Sequence, residues 1–408
     1  MPPHHGFIQR IIMPAVTVFF DLDDTLLSTN MDRFLPGYFE ILGKALDHFG
    51  TQDRITQQIQ FAVQKMVANT DPSKTLKEVF DQHFYEPLGT TEEACKGILN
   101  TFYRDEFPHL KHITQTKPEA SELVDWCQSK GMTMVIATNP LFPRTATHQR
   151  IQWAGLDPDK FSFFTTYDDF HFTKPNLTYY AEVFGRLGWP EGTAVMIGDS
   201  LTLDLLPMQT MGYETFWVNP NNQDSHQPSG TLSDVKPWLN KLSPNNQELS
   251  NHLNVNIAII QSTPAVIDSW LRFSRSIQFL EYPSGKTTQF KSALLDLIYF
   301  EKEIFQTVSG KLKNNTIESL PYIENQQKDP WTPEPEHDIL ALSSLFITAR
   351  KLNLALLNAL LKNPSSVGNF SHEHQESKSL NGFIKTIAHH DRKLLRKSVN
   401  MLNNYKIY

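Results

Sequence analysis

Three aspartates directly follow a short run of apolar residues near the start of the chain. The stretch VTVFFDLDDT runs from Val16 to Thr25 and places Asp21, Asp23 and Asp24 at the end of a predicted strand. Ionised carboxylates repel one another and are costly to remove from water, so a buried strand does not normally end in them. The pattern therefore predicts a bound metal ion or a reaction that uses two acids side by side.

Three further polar signals come after other predicted strands. Thr138 offers a hydroxyl to a transferring phosphoryl oxygen, and Lys174, in a Lys-Pro pair, offers a cation to neutralise phosphate. The stretch IGDSLTLD adds Asp199 and Asp204, a carboxylate pair suited to Mg²⁺ with water and phosphate. Each signal taken singly is equally well explained by a turn or a helix cap. Four of them in this order predict an active site.

The elements that must position these residues alternate between strand and helix patterns. Strands alternating with helices predict a parallel sheet covered on both faces, with ligands beyond the carboxyl ends of the strands. Residues 31–110 contain helical patterns alone and are predicted to form a helical insertion. The predicted strands are residues 16–20, 133–138, 161–167, 194–198 and 214–218.

The second half of the chain differs in composition. A stretch rich in Asn, Pro, Ser and Gln predicts a linker at residues 243–254, after a short helix near residues 235–242. Four long amphipathic segments then predict a four-helix bundle over residues 255–408. The first domain is expected at residues 1–242, with its core in 14–30 and 111–242.

In their order and spacing, the polar motifs resemble those of the haloacid dehalogenase-like (HAD) superfamily. DLDDT resembles its first motif, IATN its second, Lys174 its third and GDSLTLD its fourth, over about residues 16–238. The resemblance implies an α/β fold, with a doubly wound, parallel-sheet, Rossmann-like core. It also implies that residues 31–110 form a helical C1 cap, which closes over the site and selects the substrate.

The resemblance also implies a role for each motif residue. Asp21 would be the nucleophile that forms an aspartyl-phosphate, and Asp23 would be the general acid and base. Mg²⁺ would be held by Asp21, Asp199 and the backbone carbonyl of Asp23, with Asp204 supporting the metal or the lysine. The residues that would hold the phosphoryl group are Thr138 and Lys174.

The sequence says less about the substrate. Asn139 belongs to the second motif, and Arg33 and Arg144 follow the first and second motifs, so all three are candidates to contact an anionic substrate. Both arginines are equally well explained as surface or structural residues. His171, close to Lys174, is expected to be a surface histidine.

The choice of reaction depends on Asp23. The dehalogenases of the superfamily lack an acid at this position, so its presence favours phosphoryl transfer. We expect hydrolysis of a small phosphorylated metabolite, a phosphomonoester, with Mg²⁺ as cofactor. The alternatives are a phosphomutase or phosphonate hydrolase that uses the same aspartate, and a non-catalytic binding or scaffold protein.

The C-terminal segments, about residues 255–404, resemble the DinB/YfiT-like four-helix bundles, which usually bind a divalent metal through three histidines. Asp296 stands at the first histidine position and His390 is retained, but Leu394 replaces the last histidine. Asp296 and His390 would form a vestigial site, because two ligands rarely hold a metal tightly. His389 is an alternative ligand. We expect the bundle to bind a partner or to form a homodimer.

Composition limits the remaining possibilities. The 408-residue chain has a formal net charge of −7, which gives no general attraction to nucleic acid or to an anionic membrane. Its two cysteines, Cys95 and Cys127, form neither a disulfide framework nor a metal knuckle. We find no signal peptide and no run of 18 or more apolar residues. The expectation is a cytoplasmic protein.

Overall fold

The computed structural model describes residues 16–219, 227–242, 249–276, 284–309, 333, 337–362 and 379–402. Six parallel strands form the central sheet, and two short strands pair antiparallel beside it. In chain order the strands are β1 Val16–Phe20, β2 Leu27–Thr29, β3 Thr114–Thr116, β4 Thr133–Ile136, β5 Phe163–Phe164, β6 Thr193–Gly198, β7 Glu214–Val218 and β8 Ser229–Gly230.

The order of the sheet is β5-β4-β1-β6-β7-β8, so β1 lies in its middle. Phe20 is in register with Ile136 of β4 and Ile197 of β6. A central parallel strand is buried on both faces, which explains why β1 is an unbroken apolar run. The five predicted strands are present, with β5 reduced to two residues. Strands β2, β3 and β8 were not predicted, because two or three residues carry no detectable periodicity.

Helices cover both faces of the sheet, as predicted from the alternating pattern. Phe19 joins an apolar cluster on one face, and Val18 and Phe20 join a cluster on the other. The helix after β3 ends as expected, with Gly131 at φ 67° following its last turn. The helices of the core are α5 Pro118–Ser129, α6 Arg144–Trp153, α7 Leu177–Arg186, α8 Leu206–Thr210 and α9 Leu232–Leu239.

The insertion between β1 and β4 is a helical cap, carried by the paired strands β2 and β3. Its helices begin at residues that accept a backbone hydrogen bond, among them Asn30 and Thr51. Thr75 and Glu78 form a reciprocal capping box. The cap helices are α1 Met31–Ala45, α2 Gln52–Val67, α3 Leu76–Phe84 and α4 Glu92–Thr101.

The C-terminal region is helical and packs directly against the core. Nine of the ten residues of α7 are buried, because the sheet covers one side of α7 and the bundle covers the other. A Cβ on Gly185 would lie 2.6 Å from Val266, so the two helices approach closely there. One apolar cluster therefore continues from the core into the bundle. The bundle helices are α10 Leu253–Ser276, α11 Ser284–Ser309, α12 Ile339–Lys362 and α13 Leu380–Leu402.

Helix α12 is the one helix in the described part of the chain that is long and apolar enough to cross a membrane. A core helix of a bundle has the same length and composition. Leu342, Phe346 and Leu356 on α12 are fully buried within the molecule. Length and composition alone fit both a membrane-spanning helix and a core helix of the bundle.

Candidate active site

Asp21 lies immediately after β1, at the carboxyl edge of the sheet. Its backbone N–H donates to the carbonyl of Ile197, 2.9 Å away, so the central strand β6 fixes its position. The Asp21 side chain is buried, and its Oδ1 lies 2.8 Å from Lys174 Nζ. The same ammonium group lies 2.6 Å from Asp204 Oδ1. The structure thus brings together the first, third and fourth motifs around one lysine.

Asp204 reaches this lysine from a π-helical turn, Leu201–Leu205, that follows β6. Ser200 caps the turn, and its N–H donates to Asp204 Oδ2 at 3.1 Å. A Cβ on Gly198 would lie 2.4 Å from the same oxygen. Glycine is therefore required at position 198, because any side chain would displace the Asp204 carboxylate.

Asp199 completes a group of three carboxylates with Asp21 and Asp204. One oxygen of each lies within 4.8 Å of the others, and no other such group of His, Cys, Asp or Glu occurs in the parts of the chain that the structure describes. Thr25 Oγ1 donates to Asp199 Oδ1 at 3.3 Å, and Trp217 Nε1 donates to the carbonyl of Asp199 at 2.8 Å. Closely spaced carboxylate oxygens fit Mg²⁺, a hard cation that prefers oxygen ligands.

The negative charge of this group exceeds what Lys174 neutralises. Burial raises the pKa of Asp21 to about 8; Lys174 opposes this rise, and the neighbouring carboxylates add to it. Burial and the charge of Asp204 raise the pKa of Asp199 to about 6. Burial alone would lower the pKa of Lys174, but the two carboxylates that it contacts hold it well above its ordinary value. A divalent cation would offset the remaining negative charge.

The Asp23 side chain points away from this group and toward α6. Its Oδ1 accepts a hydrogen bond from Thr29 Oγ1 at 2.8 Å and forms an ion pair with Arg150. Arg150 is 1% exposed, and its guanidinium lies 5.3 Å and 4.9 Å from the ring centroids of Phe34 and Phe142. The sequence analysis missed Arg150. An arginine inside an amphipathic helix carries no local signal that it will be buried against a carboxylate.

Thr138 and Asn139 lie after β4, beside the three carboxylates. The carbonyl of Thr138 accepts hydrogen bonds from Tyr179 OH at 2.8 Å and from Thr165 Oγ1 at 2.5 Å. Asn139 Oδ1 accepts from the backbone N–H of Lys174 at 3.3 Å. These bonds tie the second motif to the loop that carries the third, so Asn139 positions the lysine backbone.

The two candidate arginines lie elsewhere. Arg33 is exposed in the first turn of α1. Arg144 pairs with Asp169 at 3.1 Å and lies over the ring of Phe164. It lines a cavity of about 940 Å³ next to β5, and none of the predicted catalytic residues lines that cavity.

His171 is buried, and not at the surface as the sequence analysis expected. Its Nδ1 lies 2.9 Å from Glu182 Oε1, and its Nε2 lies 3.1 Å from Asp268 Oδ2 on α10. Sequence reasoning missed this arrangement, because the partner aspartate lies on a helix of the bundle. His171 therefore joins the core to the bundle and does not face the three carboxylates.

The two residues of the predicted vestigial site lie on different helices of the bundle. Asp296 is exposed on α11, and the ring of His390 stacks on Phe300 with centroids 3.8 Å apart. In the described part of the bundle, no group of three possible metal ligands includes either residue.

A different charged cluster fills the bundle interior. Arg350 of α12 donates from Nε to Glu301 Oε1 at 2.8 Å and from Nη2 to Asp391 Oδ1 at 2.9 Å. Asn353 Nδ2 donates to Glu301 Oε2 at 2.8 Å, and Thr263 Oγ1 donates to Asp391 Oδ2 at 2.9 Å. All five side chains are buried. The guanidinium and its neutral neighbours satisfy both carboxylates.

Comparison with known families and proteins gives matches for the first half of the chain. Residues 16–212 match the family described as haloacid dehalogenase-like hydrolase. This region contains all four motifs and the cap. It ends before the bundle, so the match does not test the DinB-like resemblance of residues 255–404.

Three individual proteins are similar to this chain. Pyrimidine 5'-nucleotidase PynA of Streptococcus pneumoniae is 28% identical over 142 residues, which cover 34% of this chain and 58% of PynA. Glyceraldehyde 3-phosphate phosphatase of Methanothermobacter thermautotrophicus is 25% identical over 213 residues, 50% of this chain and 84% of the enzyme. The putative HAD-hydrolase YfnB of Bacillus subtilis is 28% identical over 209 residues, which cover 50% of this chain and 84% of YfnB. A solved structure of magnesium-bound YfnB aligns at 23% identity over 56% of this chain and 99% of that chain, with a TM-score of 0.36.

Proposed function

We propose that the haloacid dehalogenase-like hydrolase domain of this chain is a Mg²⁺-dependent phosphatase that hydrolyses a small phosphomonoester through an aspartyl-phosphate on Asp21. The hydrolase class itself is confirmed by the family match. One observation carries the finer proposal. A buried aspartate at the end of the central strand touches a buried lysine and lies within 4.8 Å of two further carboxylates.

In the first step, an Asp21 oxygen attacks phosphorus, and the bond between phosphorus and the ester oxygen breaks. Asp23 donates a proton to the departing alcohol. In the second step, a water attacks the aspartyl-phosphate, Asp23 accepts a proton from that water, and Asp21 is released with inorganic phosphate. Lys174 stays beside Asp21 and balances charge on the phosphoryl oxygens.

Asp21, Asp199 and Asp204 present the side-chain oxygens that would hold or support Mg²⁺. Bound there, the ion would neutralise phosphate charge and keep Asp21 ionised at neutral pH, against the burial that raises its pKa to about 8. The lysine alone does not supply enough positive charge for this.

Asp23 needs to change its contacts for the proton transfers. In the present arrangement it pairs with Arg150 and Thr29, on the side of α6. We propose that substrate binding turns Asp23 toward the ester oxygen for the first step.

The names of two relatives support phosphate-ester chemistry. One is called a pyrimidine 5'-nucleotidase and the other a glyceraldehyde 3-phosphate phosphatase. For the bundle we propose a role in binding a partner or in dimerisation. The Arg350 cluster supports a role without a metal, because its carboxylates are already paired.

The test is hydrolysis of p-nitrophenyl phosphate by the full chain, with Mg²⁺ and with EDTA. We expect turnover with Mg²⁺, loss of turnover in EDTA, and a decrease of about 10³-fold or more in Asp21→Asn, because the amide is not a nucleophile. Asp24→Asn is the matched control. Asp24 has φ 55°, a conformation that asparagine tolerates, and it should stay within about threefold of wild type. Undiminished turnover in EDTA or in Asp21→Asn would contradict the proposal.

A further inference from the structure

A cavity of about 380 Å³ lies between the cap and the core. Helices α1, α2 and α3 form its walls with the loop that follows Asn139. Its volume is in the range of small-molecule binding sites. Large side chains in its wall, none of them fully buried, include Leu35, Phe39, Val63, Phe80, Phe142 and Tyr167.

None of the predicted catalytic residues lines the cavity, but two of its wall residues connect it to residues that contact them. The ring of Phe142, in its wall, lies 4.9 Å from the guanidinium of Arg150, the ion-pair partner of Asp23. Leu141, also in the wall, donates its N–H to the carbonyl of Asn139 at 2.8 Å. The cavity therefore lies on the side of the motif residues where Arg150 and the loop after Asn139 are found.

Most of the wall is apolar, and its polar groups are four tyrosine hydroxyls and two glutamine side chains. Among its described residues, none is Asp, Glu, Lys, Arg or His. Two of its tyrosines, Tyr38 and Tyr103, bond to each other through their hydroxyls at 2.9 Å. Gln60 and Gln64 lie at the exposed side of α2. A charged group or a chain of hydroxyls would lose its water here without full replacement, whereas an apolar group would gain contacts.

The cavity is not a sign of loose packing throughout the cap. Next to it, Phe34 and Phe107 are completely buried, and Phe107 stacks on Trp153 with centroids 5.2 Å apart. The space is confined to one place, where apolar side chains from the cap and from the core face each other.

We propose that this cavity receives the alcohol part of the substrate, and that the substrate is a phosphomonoester of an uncharged, apolar alcohol with an aromatic ring or a chain of about six carbons. The inference rests on the proposed phosphatase function of Asp21. The phosphate would bind at Lys174 and the metal ligands, and the apolar part would fill the space between Phe142 and α2.

The test compares kcat/KM of the full chain for ethyl, n-hexyl and benzyl phosphate and for glycerol 1-phosphate. All four are esters of primary alcohols, so their leaving groups have similar reactivity. We expect n-hexyl and benzyl phosphate to exceed ethyl phosphate and glycerol 1-phosphate by about tenfold or more. Turnover of glycerol 1-phosphate equal to or above that of the apolar esters would overturn the inference and leave the phosphatase function intact. A folded protein that hydrolyses p-nitrophenyl phosphate but none of the four esters would also overturn the inference alone, whereas one that hydrolyses none of the five would overturn the phosphatase function itself.

A pair of variants on α2 tests whether the cavity causes the preference for apolar esters. Val63 lines the cavity, whereas Val67, one turn later on the same helix, is exposed. Val63→Phe should lower the preference for n-hexyl over ethyl phosphate about tenfold by filling the cavity. Val67→Phe should leave this preference unchanged. An equal preference in both variants would overturn the inference, and the substrate series on the wild-type chain decides the question if Val63→Phe does not fold.

Discussion

Two buried clusters of charged side chains differ in how their charge is balanced. At the edge of the sheet, Lys174 contacts two of the three carboxylates, Asp21 and Asp204. In the bundle, Glu301 and Asp391 enclose Arg350, and neutral donors satisfy further oxygens. With three carboxylates and one lysine the first cluster keeps a formal charge of −2, whereas the second, with two carboxylates and one arginine, keeps −1 and has both carboxylates in contact with the guanidinium.

The pKa shifts follow this difference. Burial raises the pKa of Asp21 to about 8, because Lys174 does not compensate for burial and for the neighbouring carboxylates together. In the bundle, burial raises the pKa of Glu301, whereas at Asp391 the ion pair with Arg350 outweighs burial and holds the pKa below its ordinary value. The cluster with the larger excess of negative charge is suited to bind a cation, whereas the cluster built around a guanidinium stabilises the fold only while all its members are present.

The largest effect on stability is expected in the bundle. Arg350→Met should lower the free energy of unfolding by about 3–5 kcal/mol, because it leaves Glu301 and Asp391 buried and unpaired. Chemical denaturation of the full chain measures the change. Lys351→Met is the matched control on the next residue, where a partly exposed pair with Asp71 is worth about 1 kcal/mol at most. Equal losses in the two variants would show that the Arg350 cluster is not the paired network described here.

At the sheet edge, removal of a charge should raise the free energy of unfolding, whereas in the bundle it should lower it. The folded-state pKa of Asp21 lies above its unfolded value of 3.8, so its ionisation costs stability as pH rises from about 4 through 8. In EDTA at pH 8, Asp21→Asn should therefore raise the free energy of unfolding by about 1–3 kcal/mol, with little change at pH 4. Added Mg²⁺ should reduce the difference in the free energy of unfolding between Asp21→Asn and wild type. A variant that is less stable than wild type in EDTA would contradict the charge imbalance.

A smaller effect is expected at the junction between core and bundle. Burial alone would lower the pKa of His171, but Glu182 and Asp268 raise it to about 9. Arg186 and Arg272 contact the same two carboxylates from their other sides. Because the folded pKa exceeds the unfolded one, the stabilisation is complete below about pH 6.5 and is lost as pH rises through 9.

Wild type should thus lose about 1–2 kcal/mol of unfolding free energy between pH 7 and 10 that His171→Gln does not lose. His83→Gln, at a histidine outside this junction, should keep the wild-type pH dependence. The same slope in wild type and His171→Gln would show that His171 does not couple core and bundle through its charge.

Much of the first domain could be predicted because its signals are local. An unbroken apolar run gives β1, and the alternation of strands with helices gives the parallel sheet with Asp21 and Asp199 at its carboxyl edge. The four helices of the bundle could be predicted for the same reason. Their apolar residues recur with the helical period, and that spacing survives in the sequence whatever the helices pack against.

Contacts between distant segments could not be predicted in the same way. Arg150 and Asp23 lie on different elements, and only the packing of α6 against the sheet makes them partners. The burial of His171 depends on α10, which lies beyond the predicted linker. The exposure of Asp296 depends on which side of α11 the neighbouring helices cover.

By itself, the sequence determined the strands, the helices, the motif residues and the end of the sheet at which the motif residues meet. These follow from periodicity and from short-range spacing, which each segment carries alone. Only the tertiary structure decided which charges are paired, that the core and the bundle share one apolar cluster, and that a cavity without charged side chains lies between the cap and the core. The physical reason is that burial and pairing are properties of surfaces brought together by folding, and no single segment contains both surfaces.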